Sequence, residues 1–69
     1  MNVITPKFPH VHVQLSGEDG NAFSILGRVQ GEMRRAQVPQ SDIELFTQTA
    51  MSGDYDKLLE TVMRYVDWS

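Results

Sequence analysis

Cysteine is absent from this 69-residue chain, which excludes disulfides and thiolate metal sites and fits a reducing compartment. Only two histidines are present, His10 and His12, which leaves little for a structural metal. No apolar run approaches about 18 residues, so no transmembrane helix is expected. The stretch Met1 to Phe8 lacks the apolar core of a signal peptide. No internal repeat or low-complexity segment is present. Basic residues are few: six Lys and Arg stand against nine Asp and Glu, for a net charge of -3. That balance argues against a general nucleic-acid binder, because phosphate neutralisation needs clustered cations. A soluble, cytoplasmic protein without a cofactor is expected.

What remains is a globular composition, 41% hydrophobic and 22% charged. A chain this short buries only about 60% of its unfolded surface. Lacking disulfides and a metal, it must rely on close helix packing or on a partner chain.

Residues 1–9 contain Pro6 and Pro9, which interrupt ladder hydrogen bonds, and are read as an irregular tail. Residues 10–69 are read as a single small α+β domain. His10 to Leu15 alternates, with Val11, Val13 and Leu15 on one face and His10, His12 and Gln14 on the other, as in a half-buried strand. The strand needs a neighbour. Val3-Ile4, the C-terminal Val66–Ser69 and a second subunit are the candidates.

The junction Leu15-Ser16-Gly17-Glu18-Asp19-Gly20-Asn21-Ala22-Phe23 turns that strand into a helix expected over about Asn21–Gln37. Asp19 or Asn21 caps it, and Arg34 and Arg35 suit the negative end of its dipole. Gly27 and Gly31 lie mid-helix, four residues apart, which suggests close approach of another helix or chain. Val38-Pro39-Gln40 breaks the helix. Ser41-Asp42-Ile43-Glu44 reads as a capping box opening a second helix to about Ser52, closed by Gly53. Asp54 caps a third helix that reaches Tyr65 or Val66. The fold expected is one strand, pairing with a short terminal strand or another chain, and three packed helices. The expected core is Val11, Val13, Leu15, Phe23, Ile25, Leu26, Val29, Met33, Ile43, Phe46, Leu58, Leu59, Val62 and Val66.

Candidate chemistry is sparse. Gly17-x-x-Gly20 lacks the third glycine of a phosphate loop, and Glu18 and Asp19 repel phosphate. Asp19-Gly20-Asn21 lacks the bidentate glutamate of a calcium loop. His10-x-His12 has zinc-chelating spacing but needs further ligands; two solvated histidines are the simpler reading. Asp54 and Asp56 read as a cap and a dipole-favoured carboxylate rather than an acid/base pair. No nucleophile, base and orienter occur together, so an enzyme is not expected. Arg28, Arg34 and Arg35 form a local basic strip. Tyr65 and Trp68 read either as aromatic anchors of the kind that fill interface pockets or, for Trp68, as a ring folded back over the core. The third helix carries Lys57 and Arg64 against Asp54, Asp56, Glu60 and Asp67, a poor charge pattern for a groove-reading helix.

Two clusters, Gly17-Glu18-Asp19-Gly20-Asn21-Ala22-Phe23-Ser24-Ile25-Leu26-Gly27 and Ser52-Gly53-Asp54-Tyr55-Asp56-Lys57-Leu58-Leu59-Glu60-Thr61, resemble those of small uncharacterised bacterial and phage- or plasmid-associated proteins. The resemblance spans roughly residues 11–68. It implies a strand followed by three helices and a cytoplasmic protein carried on mobile elements, and it brings no activity, ligand or catalytic residue. Gly31 departs from it, since a better helix former is expected there.

The function expected is a small protein-interaction module with a regulatory role, acting as a homo-oligomer or by docking on a larger protein. Its contact residues are expected among Gly27, Arg28, Gly31, Arg34, Arg35, Tyr65 and Trp68. The alternative is a nucleic-acid-associated accessory protein using Arg28, Arg34 and Arg35.

Overall fold

The computed structural model describes residues 5–14 and 21–68. In chain order the elements are β1 (Phe8–Val13), α1 (Ala22–Arg35), α2 (Gln40–Ala50), α3 (Tyr55–Tyr65) and β2 (Val66–Trp68). The fold is α+β, as its periodicities imply. Val3-Ile4, Leu15 and the Gly17–Gly20 turn, with its phosphate and calcium readings, lie outside the described residues.

β1 begins at Phe8, so Phe8 and Pro9 are strand residues rather than tail. Its neighbour is the C-terminal segment, and the two strands run parallel. Phe8 faces Val66, His12 faces Asp67 and Val13 faces Trp68, with an irregularity between Phe8 and His12. Pro9 sits inside that irregular stretch, where its missing N–H breaks no regular ladder. Parallel pairing demands a long crossover, and the three helices supply it. The Lys7 amide extends the join by donating to the Arg64 carbonyl at 2.9 Å.

α1 is capped by Asn21, whose side-chain oxygen accepts from the amides of Phe23 and Ser24 at 2.9 and 3.3 Å. It ends at Arg35, two residues before the expected Gln37, because Gln37 adopts a left-handed backbone with φ 63°. The Gln37 amide donates to the Arg34 carbonyl and the Val38 amide to the Met33 carbonyl, both at 3.0 Å. This is a Schellman closure, and the burial of Val38 and Met33 supplies its apolar contact.

The expected capping box is corrected. α2 starts at Gln40 with Pro39 at the cap, and no side chain caps it. The Pro39 carbonyl takes the amides of Asp42 and Ile43, which leaves Ser41 as the second residue of the helix, two positions too late to cap. Proline's fixed φ suits this entry. Gly53 is not the closure of α2 either. The helix ends at Ala50 with Met51 as its C-cap, and Gly53 instead makes room for Lys57, whose Cβ would stand 3.0 Å from an added Cβ. Asp54 caps α3, accepting from the Lys57 amide at 3.0 Å. α3 passes directly into β2 at Val66, whose backbone is already extended.

The buried core joins Val11, Val13 and Val66 of the sheet to Ile25, Leu26, Val29 and Met33 of α1, Ile43, Phe46 and Ala50 of α2, and Leu58 and Val62 of α3. Val38 and Thr61 are buried as well; the Thr61 hydroxyl donates to the Lys57 carbonyl at 2.8 Å. Leu59, expected inside, is only half-buried against this core. Phe23, also expected inside, is 74% exposed. At 3.6 residues per turn Phe23 lies about 120° around the helix from Val29, off the edge of the buried stripe.

Candidate functional site

Gly27 and Gly31 point outward from α1, about 160° from Val29. An added Cβ at either position meets nothing within 4 Å. Among the described residues no helix therefore exploits their small size. Together with Phe23, Ser24, Arg28, Glu32 and Arg35 they line a shallow groove along the outer face of α1. Arg35 donates to Glu32 at 3.4 Å within it.

The groove is continuous with a second hollow at the start of the same helix. Ala22, Phe23 and Leu26 form one wall, and Ala50, Met51, Tyr55 and Leu58 form the other, around a cleft of about 210 Å³. Phe23 belongs to both hollows. Its large exposure is accompanied by 55% for Met51 and 39% for Tyr55. Gly53 and Asp54 complete the cleft at the α2–α3 turn. The sequence reasoning missed Phe23, Met51 and Tyr55 as surface residues. Helical phase was the available signal for Phe23.

The remaining expected contact residues do not join this surface. Arg34 lies in a separate depression with Gln30, Gln40, Glu44, Thr47 and Gln48. There the Gln30 side-chain amide donates to the Thr47 hydroxyl at 2.7 Å, and that hydroxyl donates to the Ile43 carbonyl at 2.8 Å, which ties α1 to α2. The three arginines are thus divided between two surfaces. Tyr65 is half-buried and serves packing: its ring meets Phe46 at 5.3 Å and Phe8 at 6.3 Å. Lys7 lies 5.8 Å from the Tyr65 ring and 3.3 Å from the Asp42 carboxylate, so this aromatic end is sealed by a cation. Trp68 is 41% exposed on β2, beside Val13 in register.

His12 and His10 project from the exposed side of β1. The His12 Nδ1 stands 2.9 Å from an Asp67 carboxylate oxygen, across the ladder. Among the described residues no group of three or more His, Cys, Asp or Glu side chains could hold a metal ion. Asp54 is engaged as a cap. No helix among the described residues is long and apolar enough to cross a membrane.

No protein-family model matches the chain, and no curated protein or solved structure matches it.

Proposed function

We propose that this chain is a small protein-interaction module, and that its contact surface is the cleft and groove that meet at Phe23. The observation that carries the reading is a phenylalanine 74% exposed between two hollows, with Met51 and Tyr55 beside it. Water around so much contiguous apolar surface is costly, and exposed apolar patches rimmed by polar groups mark interaction sites. Arg28, Glu32 and Arg35 on one side and Asp54 on the other supply that rim. The absence of a nucleophile–base constellation in the sequence favours binding over catalysis. The resemblance to mobile-element proteins supports a cytoplasmic setting. The division of Arg28 and Arg35 from Arg34 weighs against a phosphate-tracking strip.

Site-specific photo-crosslinking tests this reading. A photoreactive residue replaces Phe23 in the native host, and a control replaces Gln48 in the separate depression. A discrete cross-linked protein species is expected from position 23 and not from 48. Cross-links from 23 only to nucleic acid, or none above the control, overturn it.

A further inference from the structure

Helix α3 ends without a stop signal of its own. Residues 64–69 contain neither glycine nor proline. The Val66 amide still donates to the Val62 carbonyl, as it would inside a helix. The stop comes from the other end of the chain, where the Lys7 amide donates to the Arg64 carbonyl at 2.9 Å. Helical bonds run from each amide to the carbonyl four residues back, so a longer α3 would give that same carbonyl to Trp68. The Lys7 amide therefore takes the place of the next helical donor.

Residues 66–68 suit either conformation. In a strand, Val66 and Trp68 share one side and Asp67 takes the other. In a helix, Val66 would prolong the buried line of Leu58 and Val62 at four-residue spacing, and Asp67 would point outward, about 180° from Leu58. Contacts with β1 decide for the strand. Phe8 faces Val66, Val13 faces Trp68, and the His12 Nδ1 stands 2.9 Å from the Asp67 carboxylate. That carboxylate would also oppose the dipole in the last turn of a longer helix. The balance is nonetheless narrow, because β2 has only three residues and both side chains of the His12–Asp67 pair are 58% exposed, where such pairs hold weakly.

We propose that residues 66–68 are a strand–helix switch governed by Lys7. In the main state they pair with β1. In the second state Lys7 leaves the Arg64 carbonyl, α3 continues through Trp68, and β1 loses its neighbour. Lys7 is the latch: besides its amide bond, its ammonium reaches the Asp42 carboxylate at 3.3 Å and lies 5.8 Å from the Tyr65 ring. Val66 keeps an inward position in both states, which makes two packings of one segment close in free energy. The device stands apart from the surface at Phe23.

NMR relaxation dispersion on the full chain, read at the Cα carbons and backbone amides, tests it. Residues 66–68 should exchange together with Lys7 and Phe8, and the minor state should show helical Cα shifts at 66–68. Lys7→Pro removes both the amide donor and the cation, and should raise the helical fraction roughly 3- to 10-fold. Asp67→Ala and Asp67→Gly remove the same carboxylate and differ in helix propensity, so the alanine variant should hold several-fold more helix at 66–68 than the glycine variant. This pair reads the switch even if Lys7→Pro does not fold. Random-coil shifts in the minor state overturn the proposal, since they mean simple fraying. So do strand shifts without exchange in the wild type and both Asp67 variants, or equal helix in the two.

Discussion

Gln37 holds a left-handed backbone, φ 63°, in a position where glycine is the usual occupant. The strain is tolerated because two amides close the helix end there and Val38 packs beneath it. Replacing Gln37 with glycine should relieve it, stabilising the fold by about 1 kcal/mol and raising Tm by roughly 4–8 °C for a domain of this size. Thermal unfolding of Gln37→Gly checks this; a lowered Tm refutes it. Glutamine sends no left-handed signal in a sequence, so the helix end was legible only to within two residues. Asn21 and Asp54 were readable as caps because a short acceptor side chain before an apolar stripe has few other uses. Ser41 carried the same signal misleadingly. Pro39 starts α2 first, and a serine inside the opening turn no longer meets free amides. Phe23 is hydrophobic enough to read as core, but its helical phase carries it off the buried stripe, so hydrophobicity alone hides the centre of the candidate site.

At the scale of elements, α1 carries both the core and the surface, on opposite sides. Its buried residues follow the 3.6-residue repeat, and that side was legible. The outer side was not, because glycine, arginine and serine on a helix read equally as solvated filler. Gly27 and Gly31 each cost the helix about 1 kcal/mol relative to alanine, and among the described residues nothing packs into the space they leave. Gly27→Ala and Gly31→Ala should therefore each stabilise the isolated chain by about 1 kcal/mol. Urea denaturation at low protein concentration measures this, and a loss of stability in either variant contradicts the open space found above both positions. Tyr65 belongs at this scale too. Its position near a chain end suggested an exposed anchor, yet packing against Phe46 and Phe8 absorbs it, because the end of α3 lies over the start of β1.

For the whole molecule, the alternation of β1 indicated a strand and left its neighbour open among three choices. No local pattern could decide between them, since pairing over more than fifty residues is a property of the closed fold. Val66 is almost wholly buried and anchors β2 to the core. Val66→Ala should cost about 2 kcal/mol through two lost methyl groups and the gap left behind. Because the ladder joins the most distant described parts of the chain, that loss should speed unfolding and leave the folding rate nearly unchanged. Stopped-flow kinetics showing slowed folding instead would place the sheet in the folding nucleus.

The parallel ladder also imposes an order on synthesis. β1 leaves the ribosome before α1, α2 and α3, and the segment that pairs with it follows all three. Val11 and Val13 therefore wait in water while the crossover is made, and the sheet is completed only once residue 68 has emerged. The newborn chain passes through a stage with helices present and one bare strand edge, which is the form in which a chaperone or a second nascent copy would meet it.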